Sequence, residues 1–329
     1  MKSLNFVIVG AGATGGFLGA RLARASEDVT LVARGPHLAA MRANGVRVIG
    51  TGDDFVAHPA CTDDLSVVGS ADVVFLTVKA HALSDLAPRL GPLLGPDTAV
   101  VTAQNGIPWW YFDRLDDEAR LLAGTRLHSA DPEGVIAASI EARRVIGCVV
   151  YPATQLVAPG VIEHLEGTRF SIGEPDGSKT PRCQAIAAAL VRAGLKSPIR
   201  TRIRHDVWLK LLGNVAFNPI SALTRATLVD IATHPQTRAA ARAVMEEADS
   251  VARALGVKLE IGVDQRLEGA EQVGAHKTSM LQDVETGRPL EVEALLGTVV
   301  EIGDLLGLDL PHLRTVYACT QLLDVTLRG

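Results

Sequence analysis

The chain has 329 residues, 47% of them hydrophobic and 21% charged, with a formal net charge of −5. At roughly 100–200 residues per domain, this length suits two domains, each able to bury its own core. Mild acidity gives a nucleic-acid partner no general electrostatic support, and no apolar run reaches the ~18–20 residues that span a bilayer. "MKSLNFVIVGAG" carries no recognisable secretory signal, and Cys61, Cys148, Cys183 and Cys319 form no CxxC pair. Free thiols in a reducing cytoplasm fit this spacing better than a disulfide frame or a zinc site, so the expectation is a cytoplasmic protein without a metal.

The first element is a strand, "NFVIVG", followed by Gly10-x-Gly12-x-x-Gly15 and an amphipathic helix without proline. Gly10 permits a tight turn, Gly12 lets the backbone approach a diphosphate, and Gly15 lets helix and strand pack closely. The diphosphate would then sit on the free N–H groups and positive dipole end of the helix. Gly10, Ala11, Gly12, Ala13, Thr14 and Gly15 are therefore candidate cofactor contacts. The strand–glycine–helix context is what raises this motif above a bare Gly-rich turn.

The second strand, "DVTLVA", ends in Ala33-Arg34. A site built for NAD places a carboxylate here to hold the ribose 2′-hydroxyl. A guanidinium instead grips a 2′-phosphate, so Arg34 favours NADP(H), the alternative being a solvated loop arginine. The next two sheet strands, "ADVVFLTV" and "DTAVVTA", lead to Lys79 and to Gln104-Asn105-Gly106. Ligands bind outside the carboxyl ends of strands in open parallel sheets, so Lys79 and Asn105 stand where the nicotinamide or a substrate would be met. A solvated lysine and an Asn-Gly turn are the plain alternatives.

Residues 143–174 offer strands with short Gly/Pro turns and no helix between them. They are expected to extend the parallel sheet in antiparallel fashion, before a helix near 180–194. Pro198 discourages helix at Ser197 and marks a junction. After it nearly every segment has helical period. The fold class is therefore α/β: a Rossmann-type doubly wound sheet with an antiparallel extension over residues 1–198, plus an all-α domain over 199–329.

In the helix "WLKLLGNVAFNPISAL" (208–223), Lys210, Asn214 and Asn218 are spaced four apart. Each step turns about 40°, so they form one polar stripe on an otherwise apolar helix. Buried unpaired polar groups cost about 1–3 kcal/mol each, so a small polar ligand is the economical partner, with a helix–helix interface as the alternative. Pro219 removes a ladder bond to Val215 and predicts a kink. Further on, Ser279 suits a substrate contact or a helix cap, and Pro289 suits a helix start. Glu291 suits either a site or dipole complementation at that start.

Together, "GAGATGG", "ARG", "VKAHAL", "AQNG", "VVYPATQLVAPGVIEH", "KLLGNVAFNPISAL" and "SMLQDVETGRPLEVEALLG" resemble the ketopantoate reductase (2-dehydropantoate 2-reductase) family across nearly the whole chain. The resemblance implies a Rossmann domain, an all-α domain and a site in the cleft between them. It implies NADPH-dependent reduction of a 2-oxo acid, most simply 2-dehydropantoate to pantoate in pantothenate biosynthesis, by a monomer or homodimer. Lys210 would be the general acid and Glu291 its catalytic companion, binding the substrate hydroxyls. Asn105, Asn214 and Asn218 would bind substrate and orient the lysine, with Ser279 on its carboxylate. Gly10, Gly12, Gly15 and Arg34 would hold the cofactor, with Lys79 beside the nicotinamide; Asn105 also counts among the cofactor contacts.

Two departures bear on substrate. Trp109, Trp110 and Tyr111 follow directly on Asn105, in a segment longer and more aromatic than usual, and are either pocket lining or core and oligomer contact. His276 stands where family members often carry Asn. Two rivals stay open: a paralogue acting on another 2-oxo acid, and a non-catalytic NADP(H)-binding sensor, which would have no need of Lys210 and Glu291.

Overall fold

The structure, a computed structural model, describes residues 4–115 and 120–328. The chain forms two compact units, Met1–Gln104 with Val135–Ile203, and Asn105–Gly134 with Arg204–Gly329. A single boundary near residue 198 therefore leaves out one excursion. After β7 the chain departs from the sheet at Asn105, joins the helical unit, and returns at Val135.

The first unit holds strands β1 (Asn5–Val9), β2 (Asp28–Val32), β3 (Val46–Gly50), β4 (Asp53–Ala57), β5 (Ala60–Thr62), β6 (Ala71–Leu76), β7 (Leu94–Thr102), β8 (Val145–Val150), β9 (Ala153–Ala158), β10 (Val161–Glu166) and β11 (Phe170–Gly173). Its helices are α1 (Ala13–Arg24), α2 (Gly35–Asn44), α3 (Leu83–Leu86), α4 (Val135–Ser139) and α5 (Pro181–Arg192). A seven-stranded sheet runs β11-β8-β7-β6-β1-β2-β5. Its neighbours are parallel except β11, which is antiparallel to β8. Ile8, Val74, Phe75, Val100 and Ile146 are fully buried, as a sheet covered on both faces requires.

Residues 143–174 divide between two sheets, a correction to the expected simple extension. β8 and β11 do extend the large sheet, whereas β9 and β10 join β3 and β4 in a separate sheet ordered β4-β3-β10-β9. Burial explains the split. Every residue of β8 is buried, which suits a strand covered on both faces. In β10 Ile162 and His164 are buried while their neighbours are not, which suits a sheet with one covered face. That face lies on α1, with the rings of His164 and Phe17 4.5 Å apart. The glycine-led helix is thus held between two sheets.

The second unit is helical, with α6 (Ile203–Thr224), α7 (Leu228–Thr233), α8 (Pro235–Ala254), α9 (Val263–Val273), α10 (Ser279–Glu285), α11 (Thr298–Leu305) and α12 (Pro311–Arg328). A π-helical segment, Glu293–Gly297, runs directly into α11. Pro219 lies inside α6, which runs through it to Thr224. Among the described residues no helix is long and apolar enough to cross a membrane. No group of three or more His, Cys, Asp or Glu among them could hold a metal ion.

The aromatic segment after Asn105 is core. Trp110 and Tyr111 are fully buried, and Trp109 and Phe112 nearly so. The buried Arg204 guanidinium donates from Nε to the Tyr111 carbonyl at 2.7 Å and from Nη2 to the Asp113 carbonyl at 2.5 Å. Trp208 Nε1 donates to the Tyr111 hydroxyl at 2.7 Å. The segment is pinned to the first turns of α6, just before Lys210.

Candidate active site

In the first unit, β1 lies between β2 and β6, so the chain turns outward to one side after β1 and returns on the other. Val9 pairs with Leu76, and the loops leaving β1 and β6 start side by side. This is the switch point at which doubly wound sheets bind ligands. Thr77 ties the two loops together: its N–H donates to the Val9 carbonyl at 3.0 Å and its hydroxyl to the Gly10 carbonyl at 2.9 Å. Lys79, half-buried, lies two residues further on.

The three motif glycines do different things. Gly10 has φ +102°, and a Cβ there would lie 2.6 Å from Val78 Cγ1. A Cβ at Gly15 would lie 2.4 Å from the Gly10 carbonyl oxygen. A Cβ at Gly12 would meet no atom within 4 Å, so this glycine faces open space. Gly12 is also the N-cap of α1, which has no side-chain cap and no acidic residue in its first turn. Open space above uncapped N–H groups fits a dinucleotide diphosphate. Arg34 is exposed at the N-cap of α2, directly after β2, whose Val32 carbonyl accepts the Gly10 and Ala11 N–H groups.

His37 was not legible as part of this loop. The Gly160 N–H donates to its Nδ1 at 2.9 Å, so Nε2 carries the proton and donates to the Ala11 carbonyl at 2.7 Å. The imidazole thus braces the glycine loop against the turn between β9 and β10. No motif or period in the sequence signals such a bridge.

In the second unit, Lys210, Asn105 and Glu291 come together from three distant parts of the chain. Lys210 Nζ donates to Asn105 Oδ1 at 2.6 Å. Asn105 Nδ2 donates to Glu291 Oε2 at a longer 3.4 Å. The amide is oriented by these neighbours, with carbonyl toward the ammonium and NH₂ toward the carboxylate. Glu291 is only 6% exposed, so it is not a solvated helix-start carboxylate. It lies in the connector before the π segment, because the helix begins later than Pro289 suggested.

Asn214 and Asn218 continue the stripe from Lys210 along α6. Asn214 is half-buried; Asn218 is buried, and its Nδ2 has no partner among the described residues. An orphan donor of this kind costs about 1–3 kcal/mol until a ligand or water accepts from it. Ser279 is exposed at the start of α10. The cap there is Thr278, whose hydroxyl accepts from the Leu281 N–H at 3.1 Å. His276 is tied by its carbonyl to the Leu228 N–H at 3.0 Å.

The models for ketopantoate reductase PanE/ApbA and for its C-terminal part match residues 6–177 and 202–324. The chain belongs to the ketopantoate reductase family. A 2-dehydropantoate 2-reductase of Mesorhizobium japonicum is 48% identical over 98% of both chains. Another, from Archaeoglobus fulgidus, is 30% identical over 96% of both. A solved structure from Ralstonia solanacearum, assigned to ketopantoate reductase, superposes with a TM-score of 0.93 at 42% identity, covering 99% of each chain. Family membership makes this chain an oxidoreductase that uses a nicotinamide dinucleotide.

Proposed function

We propose that the protein reduces 2-dehydropantoate to pantoate with NADPH, and that Lys210 is its proton donor. The observation that carries this reading is the Lys210–Asn105–Glu291 chain, read together with membership in the family. NADPH, when bound, would supply a hydride to the carbonyl carbon of the oxo acid and leave charge on its oxygen. An ammonium in a partly buried site stabilises that charge and donates the proton. Asn105 occupies one of the three Lys210 N–H donors, which limits the directions left for the substrate oxygen. Asn214 and Asn218 offer amides for the substrate's polar groups, Ser279 its hydroxyl for the carboxylate, and Glu291 its carboxylate for the hydroxyl.

On the cofactor side, Gly10 to Gly15 would hold the diphosphate and Lys79 would stand by the nicotinamide. Arg34, in place of a carboxylate after β2, supports NADPH over NADH. Asn105, grouped by contact with the second unit, is read first as a substrate and lysine contact.

Steady-state NADPH oxidation with a panel of 2-oxo acids tests the reading. The highest kcat/KM should fall on 2-dehydropantoate. A slow rate there beside a fast rate with another oxo acid would move the assignment to a paralogous reductase.

A further inference from the structure

Asn105 lies in a loop, yet its amide must be aimed at two groups at once. The anchor is on its C-terminal side. Gly106 has φ +86°, and a Cβ there would lie 1.9 Å from the carbonyl oxygen of Ala294. The next N–H, of Ile107, donates to that same carbonyl at 3.1 Å. Ala294 lies in the π segment, and its carbonyl also takes the Thr298 hydroxyl at 2.9 Å. The segment is itself fixed by α12: Tyr317 donates to Glu293 Oε2 at 2.7 Å and Gln321 to Glu293 Oε1 at 2.9 Å.

We propose that Gly106 and the π segment Glu293–Gly297 form a clamp that sets the Asn105 amide between Lys210 and Glu291, with Gly106 and Thr298 as positioning residues. This inference rests on the reading of Lys210, Asn105 and Glu291 given above. A π turn widens the helix and shifts its bonding by one residue, and such turns recur at functional sites. Here the widened turn begins directly after Glu291 and Val292. The same backbone irregularity therefore places both Glu291 and the carbonyl that receives the Asn105 loop. Removing the extra residue to give a regular α-turn would rotate one against the other by about 100°, one residue's step. A side chain at Gly106 would lift the loop from Ala294 and carry the amide away from the lysine.

The test measures kcat and KM for 2-dehydropantoate, and melting temperature, in Gly106→Ala, Thr298→Val, Asn105→Ala and the two pairwise combinations with Asn105→Ala. Misplacement on the ångström scale predicts a kcat loss of about 100-fold for Gly106→Ala. Loss of one hydroxyl contact predicts about fivefold for Thr298→Val. Both losses should vanish when Asn105 is already alanine, since they act through it. A folded Gly106→Ala protein with wild-type kcat, or losses that multiply in the combined variants, would overturn the clamp. If Gly106→Ala does not fold, the Thr298→Val pair decides by the same criterion. An Asn105→Ala protein with wild-type kcat would instead refute the underlying role of Asn105, and the clamp with it.

Discussion

Lys210 Nζ donates to Asn105 Oδ1 at 2.6 Å although 105 residues separate the two in sequence. The lysine comes from α6 and the asparagine from the first residue of the excursion after β7. An amide at this position can do what neither charged residue could. Its oxygen accepts from the ammonium while its nitrogen donates toward Glu291.

Asn105→Asp removes the donor that faces Glu291 and sets two carboxylates against each other. Asn105→Ala removes both contacts. Asn105→Asp should therefore be the slower enzyme despite being the more conservative in shape, with kcat below that of Asn105→Ala by about tenfold, the effect of roughly 1.4 kcal/mol. Comparison of the two kcat values at saturating cofactor checks this ordering.

Two glycines of one motif should fail in different ways. Gly12 has an ordinary negative φ of −72° and open space where a Cβ would go. Gly12→Ala should melt like wild type in the absence of cofactor but bind NADPH at least about tenfold more weakly, which titration calorimetry reads directly. Gly15→Ala meets the Gly10 carbonyl at 2.4 Å and should lose about 3 kcal/mol of stability before any ligand is added. Equal melting temperatures for the two variants would contradict the separation of roles.

On the proposed reading, Arg34→Glu exchanges a donor to the 2′-phosphate for a repelling carboxylate. A charged hydrogen bond is worth about 1.5–3 kcal/mol, so the ratio of kcat/KM for NADPH over NADH should fall by roughly 10- to 100-fold. An unchanged ratio would show that the exposed guanidinium does not touch a 2′-phosphate.

The aromatic anchor makes a stability prediction apart from catalysis. Trp208→Phe deletes the donor to the Tyr111 hydroxyl at 2.7 Å in a buried setting. It should lower unfolding stability by about 1–3 kcal/mol, read as a lower urea midpoint at unchanged slope.

Much of this was legible in the chain. The glycine motif, the strand-end positions of Arg34 and Lys79, and the polar stripe of Lys210, Asn214 and Asn218 follow from local periods and spacings. What was not legible depends on long-range choices. β9 and β10 read as sheet extension because a strand's partner is not encoded in its own alternation. The Trp109–Phe112 run read equally as lining or core, and only the Arg204 and Trp208 contacts from α6 decide it. His37 and Thr77 brace the glycine loop through backbone carbonyls, which leave no side-chain signature. The π segment was hidden because the first four residues of "EALLG" are ordinary helix formers.

Lys210→Ala removes the proposed proton donor. Turnover of 2-dehydropantoate with NADPH should fall by on the order of 10²–10⁴-fold, the usual contribution of a positioned general acid. The dissociation constant for NADPH should stay near the wild-type value, since in the proposed role the lysine serves the oxo acid and not the dinucleotide. A Lys210→Ala enzyme that folds, binds NADPH and turns over at the wild-type rate would show that Lys210 is not the proton donor.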